Sequence, residues 1–234
     1  MKPSSRARLT RFTVADFPGD TLFDAVGRVV SEAACLPRKE LFEAWAVAKR
    51  VHRRLAGRPI VDLAAGHGLL AHLLLLLDPT APGARCVDRR RPQSADALEA
   101  ALVARWPRLA GKVRWEVRDV AGVEVDPGDL VVSVHACGVL TDRVLDVALA
   151  ARAAVAVLPC CQSLARCDTG GLEVWMDGRL AVDAVRALRL RAAGYHVHLQ
   201  RIPDEITPQN RLIVATPAGP QAAAVAPCTP GEEP

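Results

Sequence analysis

The chain has 234 residues, 50% of them hydrophobic and 24% charged, with a formal net charge of +4. This composition excludes a disordered or fibrous chain and suits one domain with an appendage. The longest apolar run, residues 69–77, is broken by His72 and falls short of the ~20 residues a membrane span needs, so it reads as a buried helix and no membrane partner is expected.

At the amino terminus, Met1-Lys2-Pro3-Ser4-Ser5-Arg6 lacks the apolar core of a signal peptide. The seven cysteines are an odd number with no disulfide-framework spacing, which points to free thiols in a reducing cytoplasm. Residues 1–19 read as a loose arm containing Pro and Gly. Apolar residues at helical spacing then predict helices over 21–34 and 37–56, with Pro37 placed to start the second and Gly57 to end it. From residue 58 strands and helices alternate: strands at 58–63, 84–88, 113–117, 130–135 and 155–158, helices at 68–77, 94–106, 141–151 and 180–193. Such alternation predicts an α/β fold, a doubly wound and mostly parallel sheet with helices on both faces. The last two strands, 195–201 and 211–216, are joined by nine residues, too few for a crossover helix, and should form a terminal antiparallel hairpin. The expected organisation is an arm and helical cap over 1–56, the main domain over 57–217, and a disordered tail over 218–234 rich in Pro, Ala, Gly and Glu.

The most informative segment is Ile60-Val61-Asp62-Leu63-Ala64-Ala65-Gly66-His67-Gly68. An apolar strand ends in a carboxylate, a loop of small residues turns the chain, and a helix departs. The next strand ends in Asp88 and the third is followed by Arg118-Asp119-Val120. That is the layout of a nucleotide-type site at the carboxyl edge of a parallel sheet, where small residues let backbone N–H groups approach a ligand and a carboxylate accepts ribose hydroxyls. A dinucleotide fingerprint puts its third glycine two residues deeper in the helix. The spacing Asp62-x-Ala64-x-Gly66-x-Gly68 instead resembles the acidic-x-Gly-x-Gly-x-Gly loop of class I S-adenosylmethionine-dependent methyltransferases, with Ala64 in place of the first glycine. The resemblance implies a seven-stranded Rossmann-like sheet and S-adenosyl-L-methionine as cofactor. It assigns Asp62 to orienting the loop and the methionine end, Ala64, Gly66 and Gly68 to close approach, Asp88 to the ribose, and Asp119 to the adenine.

A second constellation lies at the ends of strands four and five: His135-Ala136-Cys137-Gly138 and Pro159-Cys160-Cys161. Three chemistries are open to it. His135 can act as a general base, since its ordinary pKa lies near neutrality. His135, Cys137, Cys160 and Cys161 offer soft ligands, although no Cys-x-x-Cys spacing exists, so no metal is expected. Small residues and free thiols can also simply pack, the reading given to Cys137 and Cys161. Thr141-Asp142 reads as a helix cap and residues 162–177 as long enough for a lid. His196 and His198 share one face of a strand and read as structural.

Taken over residues 40–216, the motifs resemble a branch of methyltransferase domains marked by His-x-Cys-Gly with Thr-Asp, Pro-Cys-Cys, and a late Pro-Lys-Asn-Arg. Here these are His135–Asp142, Pro159–Cys161 and Pro208–Arg211, with Gln209 replacing the lysine. The branch includes methyltransferase-like proteins and a tRNA 2′-O-methyltransferase group. It implies His135 at the catalytic and cofactor edge, with Cys137, Cys160, Asn210 and Arg211 toward the substrate. RNA is then the leading methyl acceptor, consistent with basic clusters at Arg6, Arg8 and Arg11, at Lys49, Arg50, Arg53 and Arg54, and at Arg89, Arg90 and Arg91. A small-molecule or protein acceptor, and a non-catalytic binding protein on the same fold, are the alternatives.

Overall fold

Three short strands are buried at every position, a pattern that needs helices on both faces of the sheet. The computed structural model describes residues 2–219 and supplies that cover; residues 220–234 of the expected tail lie outside the described residues. Seven strands form one sheet: β1 Ile60–Leu63, β2 Ala84–Asp88, β3 Val113–Val117, β4 Leu130–Ser133, β5 Ala154–Val157, β6 Tyr195–Arg201 and β7 Arg211–Pro217. Their order is β3-β2-β1-β4-β5-β7-β6. β1 to β5 run parallel, while β7 enters antiparallel between β5 and β6. The expected Rossmann-like α/β architecture with a terminal antiparallel hairpin is therefore the observed one.

Period-two alternation divides the core. Ile60 and Val132 face a cluster with Val30, Leu41, Leu73 and Leu98, while Val61, Val131 and Val155 face one with Val144, Leu145 and Leu190. The first layer comprises α1 Leu22–Ala33, α2 Arg38–Leu55, α3 Leu69–Leu77 and α4 Gln93–Arg105; the second comprises α5 Val139–Ala151 and α6 Gly178–Ala192. α3 is buried from Leu69 to Leu76, which explains its nearly unbroken leucine sequence. His72 fits there because its Nδ1 lies 2.8 Å from the Gly68 carbonyl, while burial pushes its pKa down.

The amino-terminal arm is a correction. Leu9 and Phe17 are fully buried, and the Leu9 N–H donates to the Leu36 carbonyl at 2.9 Å. The Phe17 ring occupies the space beside Gly27, where a Cβ would come within 2.2 Å of it. Two isolated apolar anchors thus fix a segment whose Pro and Gly residues only shape its turns. Ala218 is likewise held, its N–H donating to the Gly194 carbonyl at 2.9 Å. Among the described residues no helix is long and apolar enough to cross a membrane.

Candidate cofactor and active site

Strand order reverses between β1 and β4, and the crevice at such a switch point is where open parallel sheets bind ligands. The loop after β1 and the loop after β4 flank it. Asp62 is buried at the end of β1, its Oδ2 accepting from the Ala71 N–H in the first turn of α3 at 3.3 Å. Burial pushes its pKa up to about 8, and the nearby Asp88 charge adds to the rise.

Every second residue of the loop is left-handed: Ala64 at φ 56°, Gly66 at φ 56° and Gly68 at φ 73°. Ala64 carries a cost there, about 1–2 kcal/mol for an L-residue. Gly68 is required twice over, because a Cβ would also lie 3.0 Å from the Trp115 ring and 3.2 Å from Cys86 Sγ. At Gly66 a Cβ would meet nothing within 4 Å, so the space above the loop is open. The Gly66 N–H donates to Asp88 Oδ2 at 3.0 Å and the Arg90 N–H to Oδ1 at 3.3 Å. Each Asp88 oxygen keeps acceptor capacity for a further donor.

A cavity of about 480 Å³, within the range of small-molecule sites, is lined by Ala64, Gly66, Asp88, Val120, His135 and Cys137, with Arg89, Arg143 and Arg166 around them. A smaller recess on the other side of the loop is lined by Leu36, Glu40, Asp62, His67 and His135. His135 therefore borders both spaces. Asp119 does not line the main cavity. Its Oδ1 accepts the Ala121 N–H and its Oδ2 the Arg89 Nε, each at 2.8 Å, and these contacts hold its pKa down. It borders a neighbouring, more open cavity of about 770 Å³, and Val120 is the residue of this loop that reaches the Asp88 space.

The loops after β4 and β5 converge. The Gly138 N–H donates to the Cys161 carbonyl at 3.0 Å, with Gly138 at φ 58° and ψ −129°, a combination open to glycine. Cys137 Sγ lies 2.9 Å from Cys160 Sγ, which lies 3.9 Å from Cys161 Sγ. The Cys160 thiol hydrogen bond, then that of Cys161 and the positive fields of His135 and Lys39, pull Cys137 down to about 6; burial and the same contacts push Cys160 and Cys161 up. Thr141-Asp142 does not cap α5. The helix begins at Val139, two residues earlier than expected, so Thr141 Oγ1 donates instead to the Ala136 carbonyl at 2.6 Å.

Asp142 is engaged by Arg186 of α6, which is only 2% exposed. Arg186 Nε and Nη2 each donate to Asp142 at 2.8 Å, Nη2 also to the Gly138 carbonyl at 2.8 Å, and Nη1 to Asp183 at 3.2 Å. Asp183 further accepts from Gln162 Nε2 at 3.0 Å and from Arg211 Nε at 2.7 Å. One buried charge network thus ties α6 to both cysteine loops. Arg211 belongs to it and does not line either recess. Asn210 is buried, donating to the Ile202 carbonyl at 2.9 Å and accepting from Arg201 at 3.3 Å, so it closes the β6–β7 connection and faces no substrate space. Asn210 and Arg211, expected toward the acceptor, thus line neither of the two recesses.

Sequence reasoning passed over Glu40, His67, Asp183 and Arg186. His67 stands between two glycines, and Asp183 and Arg186 fall on the inward stripe of α6 with Val182, Ala187 and Leu190, which are the signals that mark them. Of the Arg89–Arg91 cluster, Arg89 pairs with Asp119 and Arg91 with Asp96 and Glu99.

Residues 40–167 match a family model described as a methyltransferase domain. The chain belongs to that methyltransferase-domain family. No curated protein matches it in sequence. Among solved structures it is similar to an O-methyltransferase family protein from Burkholderia thailandensis, at 17% identity and TM-score 0.54 over 91% of this chain and 64% of that one. It is also similar to the mitomycin 7-O-methyltransferase MmcR, at 18% identity and TM-score 0.53 over 88% of this chain and 60% of that one. A Corynebacterium glutamicum protein aligns at 18% identity and TM-score 0.52, over 88% of this chain and 95% of its own. The chain thus spans less than two thirds of the two O-methyltransferase structures, and likeness at this identity speaks to the fold.

Proposed function

We propose that the chain is an S-adenosylmethionine-dependent methyltransferase acting on RNA. The observation that carries the cofactor assignment is Asp88, which ties the β1 loop through the Gly66 N–H while retaining acceptor capacity toward a cavity of about 480 Å³. The space above Gly66 and the positive φ of Ala64, Gly66 and Gly68 fit close approach of a nucleoside, so the residues present suit the group. Bound there, S-adenosylmethionine supplies a methyl group on a cationic sulfonium, and catalysis rests largely on alignment of the acceptor. Asp88 would accept the ribose hydroxyls. Asp62, at the smaller recess beside Ala64, would face the methionine end, whose ammonium group favours its ionised form. Val120 would border the base, with Asp119 held off by Arg89. His135, which borders both spaces, would take a proton from an acceptor hydroxyl or amine.

The RNA assignment rests on charge and on the resemblance to tRNA-modifying domains. Arg143 and Arg166 stand at the cavity, a cationic rim suited to a phosphate-bearing acceptor. A second reading, a cofactor-binding protein without transfer, is favoured by the strained Ala64 in the loop. Incubating the protein with methyl-labelled cofactor and, separately, total RNA, protein and small-molecule extracts distinguishes these. Label in RNA alone supports the proposal; label in another fraction reassigns the acceptor; calorimetric cofactor binding with no transfer favours the second reading. If His135→Ala leaves the rate unchanged, its role as base is wrong.

A further inference from the structure

We infer that Cys137, Cys160 and Cys161 form a three-thiolate site for a thiophilic divalent ion of the zinc type, with its fourth coordination position open. The three sulfurs lie within 4.8 Å of one another, although 23 residues separate Cys137 from Cys160. A tetrahedral zinc ion with sulfur ligands at ~2.3 Å places neighbouring sulfurs about 3.8 Å apart. The Cys160–Cys161 separation of 3.9 Å already has that value. Cys137 and Cys160, at 2.9 Å, must part by about 0.9 Å to reach it.

The other thiols show what packing alone looks like. Cys35, Cys86 and Cys167 are buried and belong to no such cluster, whereas Cys137 and Cys161 are exposed and Cys160 is half-buried. A packing role does not gather three thiols at the open edge of a sheet. A disulfide between Cys137 and Cys160 accounts for two of them and leaves Cys161 without a reason to be there. The scaffold is also built for a ligand set. The Gly138 N–H and Cys161 carbonyl join the two loops directly, and Arg186 and Asp183 brace both from below. A frame that fixes the loops carrying the sulfurs limits the rearrangement that metal binding requires.

On binding, each thiol that is still protonated releases its proton as its metal–sulfur bond forms, with no oxidant or reductant involved. Cys137 also lines the main cavity, so the open position takes a water or a donor atom at the edge of that space. The adjacent-cysteine pair, which in sequence weighs against a metal, has its two sulfurs 3.9 Å apart, and the third ligand comes from the loop after β4.

The test uses the full chain, reduced with a phosphine, stripped by chelator and titrated with Co²⁺ and then Zn²⁺. One Co²⁺ per chain, a sulfur-to-cobalt charge-transfer band and displacement by Zn²⁺ are expected. Zinc should protect Cys137, Cys160 and Cys161 from alkylation, read residue by residue by mass spectrometry. Cys161→Ser, at an exposed position, should keep the circular dichroism of the parent and lose at least about 10-fold in affinity. No charge-transfer band at saturating Co²⁺ overturns the assignment, as does unchanged affinity in Cys161→Ser or alkylation indifferent to zinc. Because the readout is metal binding, its failure leaves the methyltransferase proposal standing.

Discussion

Two loop systems meet at the carboxyl edge of the sheet, and they are held by opposite means. The loop after β1 is shaped by its own backbone, with Ala64, Gly66 and Gly68 left-handed and Asp88 bridging to its N–H. The loops after β4 and β5 are shaped from outside, by Arg186 and Asp183 on a helix some twenty to fifty residues further along the chain, an interval of the kind that must be closed before the contacts form. The first system is therefore largely local, with open space above Gly66 but none at Gly68. The second is a buried charge network, in which losing one partner strands the others. Substitutions in the β1 loop should act mainly on ligand affinity, with stability effects of about 1 kcal/mol; substitutions in the network should change folding by more.

The largest effect tests the network. Arg186→Ala leaves Asp142 and Asp183 without their shared cation and should cost about 3–5 kcal/mol in denaturant unfolding. A loss under about 1 kcal/mol would mean that backbone contacts alone hold the cysteine loops. Asp88→Ala is the complementary probe. It should weaken S-adenosylmethionine binding about 100-fold by calorimetry, roughly 2.7 kcal/mol, while moving stability by no more than about 1 kcal/mol. A collapse of stability instead would make Asp88 part of the frame.

Asp62 sharpens the contrast through pH. Burial raises its pKa to about 8 from 3.8, so between those values the folded chain binds the proton that the unfolded chain releases. Stability contributed by this group is thus present at acid pH and is lost as pH rises toward 8. Asp62→Asn should flatten that dependence and raise Tm at pH 8 by about 4 °C, while weakening cofactor binding. The smallest effect is Ala64→Gly, which relieves the left-handed strain and should stabilise the chain by about 1 kcal/mol. No gain would mean that the loop is set by its neighbours.

The fold was legible because its signals are periodic. The leucines of α3 and the strands flanking the 202–210 connection announce themselves within a short window, and element ends moved by a few residues at most, as when β4 stopped at Ser133 and left His135 in the loop. The β1 loop was legible for the same reason, its residues being neighbours in sequence. Leu9 and Phe17 were missed because single apolar residues among Pro and Gly have no period. Asp119 and Val120 differ by one position, and a turn that the sequence does not specify puts Val120 at the cavity beside Asp88. Arg186 was passed over because a charged helix residue ordinarily faces solvent, although its place on the inward stripe of α6 marks it. The meeting of the three thiols was legible from the expected adjacency of strands four and five, while their separations depend on the β4–β5 register.

Placing β7 between β5 and β6 has a practical consequence for anyone who trims this protein. The family match ends at residue 167, yet the outer edge of β5 is paired only by the segment that follows, Val155 against Ala215 and Val157 against Ile213. A fragment cut at residues 40–167 would present β5 as a bare, apolar strand edge, the kind of template on which chains add to one another. It would also open the side where Leu9 and Phe17 are seated. Such a fragment should be recovered as aggregates, and the working unit extends from Leu9 through β7.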